Sequence, residues 1–197
     1  MPRAGLSTTA VVDAAAAVAD AEGLEAVTLA RIADSVGVRT PSLYNHVAGL
    51  DDVRRHLALR GVAELAAAMR DAAVGRARDD ALIATAHAYR AYATRHPGRY
   101  AATQRAPAEA DPELSQAAAA AVETLLSILR GYGLHDDDAI HAARAVRSAL
   151  HGFVTLETGG GFGLPVALDE TFDRMVAALA RGLASDAASS DAATSWR

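Results

Sequence analysis

Read for the spacing of its apolar side chains, the chain is a succession of helical stripes broken by glycine, proline and short charged runs. Val11, Ala15 and Val18 recur at helical spacing behind Ser7 and Thr8, either of which can cap a helix expected over about residues 9–21, and Gly23 ends it. Leu29, Ile32, Ala33 and Val36 form an i, i+3, i+4, i+7 stripe on a short helix capped by Thr28 and stopped by Gly37. A third short helix is expected over 41–47, with Thr40 as its cap and Pro41 in the first position, where a missing N–H costs nothing. Asp51 and Asp52 suit the start of a long fourth helix carrying Val53, Leu57, Val62, Leu65 and Met69.

The pattern continues in the same manner to the end. After a charged break at 76–80, Leu82, Ala86, Tyr89 and Ala93 share one face of a helix that stops before Pro97, and a short helical turn through Tyr100 follows. Past a polar break at 107–112, Leu114, Ala118, Val122, Leu125 and Leu129 define a long helix closed by Gly131 and Gly133. The next is expected over 137–158 on Ile140, Ala143, Val146, Leu150 and Val154, with Asp136 to Asp138 available as caps and Gly159 to Gly161 as its end. The last is expected over 168–184, with Phe172, Met175, Leu179 and Leu183 facing inward, and 185–197 reads as a disordered tail. The class is all-α with about nine helices, divided into residues 1–50, 51–184 and the tail.

Composition agrees with long helices, since aromatic residues are 5% and prolines number 6 in 197 residues. A formal charge of -5 gives no global attraction to polyanions, so contact with nucleic acid has to come from a local surface and backbone N–H groups. With no Cys, a disulfide framework, a Cys-based zinc site and a thiol nucleophile are excluded. The first residues lack the apolar run of a signal peptide, and charges interrupt every stretch of membrane-spanning length, so a cytoplasmic protein with no membrane partner is expected. No Gly-x-Ser-x-Gly elbow, phosphate loop or His-Glu-x-x-His helix occurs. His135 and His141 flank Asp136 to Asp138 as a charged helix start rather than a metal cluster, and Gly159 to Gly163 lack a preceding strand. Neither enzymatic activity nor a cofactor or metal is expected.

Residues 28–47 carry the chemistry that remains. Two short helices joined by a glycine turn can place the second helix in a DNA major groove while the first crosses the backbone. Core duty there needs only Leu43 and Val47, yet Thr40, Ser42, Tyr44, Asn45 and His46 crowd the same few positions. The run from Leu29 to Val47, with its Leu-Tyr-x-His-Val ending, closely resembles the helix-turn-helix of the TetR family of transcriptional regulators. That resemblance implies that Thr28 holds a phosphate through its hydroxyl and backbone N–H, and that Arg39, Thr40, Ser42 and Asn45 face base edges. It also implies that Tyr44 and His46 grip phosphates and that Pro41 lies against a thymine methyl. One departure stands out: where the family often has Lys, this chain has Leu50, followed by two acids. Arg54 and Arg55, one turn further on, either replace that contact or are a solvated pair balancing the acids.

Because one helix-turn-helix reads only a half-site, such a protein gains affinity as a homodimer on a palindromic operator. The resemblance places the dimer interface on the last two helices, at Val146, Leu150, Gly152, Val154, Phe172, Met175, Val176, Leu179 and Leu183. His151-Gly152-Phe153, with Leu156-Glu157 and Gly160-Gly161-Phe162, is similar to a subgroup with a Trp/His-Gly signature. A small organic effector would sit among the helices between the fourth and the eighth, with Met69, His87, Tyr89, Tyr92, Tyr100, Arg147 and His151 as wall residues. The implied role is a ligand-released repressor. The alternative is a helical interaction module with weakened DNA binding.

Overall fold

The computed structural model describes residues 6–104 and 111–194, with side chains through 186. Eight α-helices run through them: α1 (Thr8–Glu22), α2 (Leu29–Val36), α3 (Leu50–Ala73), α4 (Arg78–Arg95), α5 (Pro97–Thr103), α6 (Pro112–Tyr132), α7 (Asp136–Thr158) and α8 (Leu168–Thr194). Short 3-10 helices occupy Leu24–Ala26 and Thr40–Asn45. The described residues contain no strand, and the all-α class holds.

Three boundaries depart from the sequence expectations, each for a local reason. The helix expected over 41–47 is a 3-10 helix over Thr40–Asn45, with Arg39 and not Thr40 in the cap position. The charged break at 76–80 is shorter than expected because α4 begins at Arg78, which puts Asp79 and Asp80 in its first turn, where the helix dipole favours them. The tail expected to be disordered from 185 continues α8 as far as Thr194. Nothing in Ser185 to Thr194 stops a helix, since that stretch is rich in Ala and has neither Gly nor Pro. Most of the polar break expected at 107–112 lies outside the described residues.

The chain gathers into two compact units, residues 1–64 with 95–117, and residues 65–94 with 118–197. In the first, Val11, Ala15, Val27, Ile32, Leu43, Val53 and Leu57 are fully buried and form one small core beneath α1, α2 and the 3-10 helix. Helix α5 is bound to it at close range. A Cβ built on Gly98 would lie 2.0 Å from the carbonyl carbon and oxygen of Ala19, so only glycine lets α5 lie this close to α1. Arg99 ties the same contact electrostatically: its backbone N–H and Nε donate to Asp20 at 2.9 and 2.8 Å, and Nη1 donates to Glu64 at 2.7 Å. Arg60 of α3 donates to Glu64 at 2.8 Å and also to Asp13 of α1.

The second unit is built around Leu82, Leu129, Val146, Val154, Phe172 and Val176, all nearly inaccessible. Arg90 of α4 makes a two-pronged bond to Glu157 near the end of α7, at 2.8 and 2.5 Å, and reaches Asp169 in the first turn of α8 at 2.8 Å. Its guanidinium lies 4.9 and 5.4 Å from the ring centroids of Phe172 and Phe153, which contact each other edge-on. One cation thus fastens both ends of the connection between α7 and α8. Tyr132 donates to Asp79 at 2.6 Å, and burial, followed by that carboxylate, pushes its phenol above the usual range.

Candidate nucleic-acid interface

Local chemistry fixes the helix-turn-helix before any partner is considered. Thr28 caps α2 by accepting the Arg31 backbone N–H at 3.1 Å. Its hydroxyl hydrogen stays available, so the residue can cap the helix and donate to a phosphate together. Gly37 closes α2 in the left-handed region (φ 70°, ψ 35°), and Val38 donates to the Ala33 carbonyl at 3.0 Å, which turns the chain sharply into Arg39.

The Thr40–Asn45 segment is wound with i to i+3 bonds: Ser42 donates to the Arg39 carbonyl at 2.9 Å and His46 to that of Leu43 at 2.9 Å. With about three residues per turn, side chains three apart eclipse one another and form three ridges. Leu43 is fully buried and lies on the ridge with Thr40 and His46, both half-buried, so that ridge faces the core. Pro41 and Tyr44 form a second, exposed ridge, with Tyr44 58% exposed. Ser42, half-buried, and Asn45, exposed, form the third. Thr28 and Arg39 are also exposed.

The eight residues therefore fall into two groups. Thr28, Arg39, Pro41, Ser42, Tyr44 and Asn45 line the outward surface, whereas Thr40 and His46 flank the core ridge. His46 has a structural tie that the sequence pattern did not disclose: its carbonyl accepts the Thr8 hydroxyl at 2.8 Å, pinning the start of α1 to the end of the recognition helix. By sequence either Ser7 or Thr8 can cap α1. In fact Ser7 is the cap, accepting from Ala10, and Thr8 is freed for this contact.

Charge around the surface is economical. Arg31 is chelated by Glu22 at 2.6 Å, a bond that also holds the Glu22 carboxyl below its ordinary range. Arg55 is held by Asp111 at 2.6 and 3.0 Å and by Glu113 at 2.8 Å. Of the two readings left open for Arg55, the structure thus favours a paired one, with the acids at the start of α6 and not the adjacent Asp51 and Asp52. Asp52 instead accepts the Ala48 N–H at 2.9 Å and caps α3. Among the described arginines of the helix-turn-helix and the start of α3, Arg39 and Arg54 are the ones with no carboxylate partner. Two cations per protomer predict a shallow salt dependence, with a slope of log K against log salt of roughly −4 for a dimer on duplex DNA. Titration across ionic strength measures it, and a slope steeper than about −6 would mean that paired arginines also serve phosphates.

The remaining nominated positions are placed as follows. Met69, Tyr89 and Tyr92 are buried in the second unit, Tyr100 is buried in the first, and His151 is half-buried. His87 sits at the edge of the interior, its ring meeting that of buried Phe172 edge-on at 5.3 Å, and Arg147 does not face an interior. The His87 side chain is 47% exposed and bonds Asp173 at 3.0 Å, and Arg147 points to solvent, because α4 and α7 turn those positions outward. Of the positions nominated for dimerisation, Val146, Leu150, Val154, Phe172, Val176 and Leu183 are buried in this chain's own core. They have little surface left to give a second subunit. Accessible instead is a groove of about 740 Å³ between α7 and α8, lined by Ala142, Ala145, Val146, Met175, Leu179 and Leu183, with Asp138, His141 and Asp186 on its walls. Alternation of large and small residues on those helices hides the larger ones inward. The small residues Ala142 and Ala145 on α7 and Ala178 and Gly182 on α8 were the signal that could have located the groove.

Among the described residues no group of His, Cys, Asp and Glu could hold a metal ion, and no helix is long and apolar enough to cross a membrane.

Comparison with known proteins agrees with this geometry. Residues 11–47 match the family model "Bacterial regulatory proteins, tetR family", and residues 82–179 match "Tetracyclin repressor-like, C-terminal domain". The chain is 40% identical over 181 residues to the HTH-type transcriptional regulator Rv0681 of Mycobacterium tuberculosis, covering 91% of this chain and 83% of that one. It is 41% identical over 155 residues to the HTH-type transcriptional regulator YobS of Bacillus subtilis, covering 79% and 81%. In fold it is similar to apo ActR from Streptomyces coelicolor, with a TM-score of 0.71 at 20% identity over 95% of this chain and 99% of that one. With a helix-turn-helix of this geometry and relatives at this identity along most of its length, the chain belongs to the TetR family of DNA-binding transcriptional regulators.

Proposed function

We propose that this regulator is a repressor that binds a palindromic operator as a homodimer and leaves it when a small organic effector binds. The observation that carries the reading is the pair of outward ridges, Pro41 with Tyr44 and Ser42 with Asn45, on a helix whose third ridge is anchored by Leu43. Arg39, Ser42 and Asn45 read base edges, while Tyr44 and the capping Thr28 hold phosphates on either side. Thr40, His46 and Pro41 make shorter-range contacts that set the depth of the helix.

Dimerisation is assigned to the face of α7 and α8 that carries the groove, with Met175 and Leu179 on its walls, Val146 and Leu183 at its floor, and half-buried Gly152 further along α7. A Cβ on Gly152 would meet nothing within 4 Å in the single chain. Gly152→Ala should therefore leave the subunit as stable as before or slightly more stable. It should raise the dimer dissociation constant at least about tenfold in sedimentation equilibrium, because the added methyl separates two closely packed helices. An unchanged dimer would move the interface elsewhere. The His151-Gly152-Phe153 sequence supports placing the C-terminal part in the Trp/His-Gly subgroup.

Effector binding is assigned to the helical region of residues 51–184, where Met69, Tyr89, Tyr92 and His151 supply apolar walls with polar tips. The fold neighbour ActR has been solved in complex with (S)-DNPA, which supports an organic ligand for this scaffold. Release follows as a population shift: effector favours a state in which α3, which follows the recognition helix after residues 46–49 and runs to Ala73, holds the two reading heads off groove spacing. The test is a gel shift of the purified protein with duplex from upstream of its own gene at low salt. A retarded dimeric complex supports the reading, and an intact dimer that retards no fragment would replace it with the interaction-module alternative.

A further inference from the structure

We propose that Thr8 is a positioning residue for base reading: its hydroxyl fixes the far end of the recognition helix, and with it Asn45, against the operator. The inference rests on the DNA-binding reading above and gives a role to a residue outside the nominated surface. The recognition helix is poorly equipped to hold itself in place. It is a single 3-10 run over Thr40–Asn45, a winding with poorer hydrogen-bond geometry than an α-helix and one that rarely runs even this far. Leu43 and Val47 bury it, at 0% and 3% exposure. Apolar burial sets how deep a helix sits, but it is non-directional and leaves rotation about the axis and sliding along it to other contacts.

Two directional contacts meet at its far end. The Thr8 hydroxyl donates at 2.8 Å to the carbonyl of His46, the residue that closes the helix, across 38 positions of sequence. The last carbonyls of a helix lack partners within it, so this bond satisfies an acceptor that the winding itself cannot. Thr8 has the hydrogen to give because α1 takes its cap from Ser7, whose hydroxyl accepts the Ala10 N–H at 3.1 Å. On the other side of Val47, the Ala48 N–H donates to the Asp52 carboxylate at 2.9 Å, which ties the same corner to α3. The near end of the helix is held differently: Gly37 turns the chain and Val38 donates to the Ala33 carbonyl at 3.0 Å, so Arg39 is placed from α2. Asn45 is adjacent to the His46 anchor, and Arg39 lies at the opposite end. Loss of the Thr8 hydroxyl therefore displaces Asn45 and spares Arg39.

The test compares wild type, Thr8→Val and Thr8→Ser on the half-site that wild type selects from a random-sequence pool. In that half-site, Arg39→Ala and Asn45→Ala mark the positions that those two side chains read. Thr8→Val keeps the branched shape and removes the donor, so it should melt within about 4 °C of wild type. Its preference at the position marked by Asn45→Ala should fall about fivefold or more, with the position marked by Arg39→Ala unchanged. Thr8→Ser, which keeps the hydroxyl, should discriminate as wild type does at both. If Thr8→Val retains wild-type preference at the Asn45 position, the proposal is overturned while the DNA-binding reading stands. It is overturned equally if Thr8→Val weakens binding to selected and scrambled duplex by the same factor, the mark of a hydroxyl that touches a phosphate directly. A folded Thr8→Ser that shows the same selective loss as Thr8→Val also overturns it, since the hydroxyl is then not what matters. A folded, dimeric wild type that binds no duplex at low salt removes the reading beneath the proposal and the proposal with it.

Discussion

Tyr44→Ala is expected to abolish operator binding while leaving the fold intact. The ring is 58% exposed on the outward ridge of the recognition helix, so removing it creates no cavity in the core. Circular dichroism and melting temperature should stay within error of wild type. A hydrogen bond from the phenol to a charged phosphate contributes about 2 kcal/mol, and a dimer makes two of them. The loss is thus about 4 kcal/mol, or roughly a thousandfold in affinity. Fluorescence anisotropy on the selected duplex measures it directly. Wild-type affinity in this variant would mean that the outward ridge of Pro41 and Tyr44 does not meet DNA.

The second large effect is on stability. In an exposed helix interior, replacing Gly by Ala normally gains about 0.5 to 1 kcal/mol. At Gly98 the opposite is expected, because the new methyl would sit 2.0 Å from the Ala19 carbonyl, which is backbone and cannot rotate away. Separating α5 from α1 also strains the bonds from Arg99 to Asp20. Gly98→Ala should cost about 3 kcal/mol or more. For a chain of this size that lowers the melting temperature by roughly 6 to 12 °C. Calorimetry against wild type decides it. A melting temperature equal to that of wild type would show that α1 and α5 are not packed this closely.

Much of this was legible in the sequence because helices announce themselves locally. Stripes such as Leu29, Ile32, Ala33 and Val36, with Thr28 before and Gly37 after, need no tertiary information to read. The outward chemistry of the recognition helix was legible for the same reason: Tyr44 and Asn45 had no part in the core pattern. What escaped depended on partners distant in the chain. No periodicity shows that Arg55 meets Asp111, that Thr8 meets the His46 carbonyl, or that Gly98 lies against Ala19. Helix winding was also beyond reach, since α and 3-10 turns differ in rotation per residue by only about 20° and Pro41 suits both.

The dimer positions show a different limit. An apolar stripe says that a face is buried but not by what. The family resemblance puts Phe172, Val176 and Val154 at a second subunit, whereas this chain's own core buries them. The small residues beside them are what remains on the surface. In the tail, terminal position alone suggests disorder, although Ala-rich sequence without Gly or Pro sustains α8 to Thr194.

Two copies of the Thr40–Asn45 helix are expected to read one operator through adjacent major grooves. Selection of bound duplexes from random-sequence DNA, followed by sequencing, is the decisive measurement. The expected product is an inverted repeat whose half-site centres lie one helical turn, about 34 Å, or a whole multiple of it apart. Arg39→Ala and Asn45→Ala are expected to relax the preference at single, different positions within each half-site. Recovery of an unrelated set of sequences, with neither an inverted repeat nor positions that respond to Arg39 and Asn45, would contradict this mode of binding.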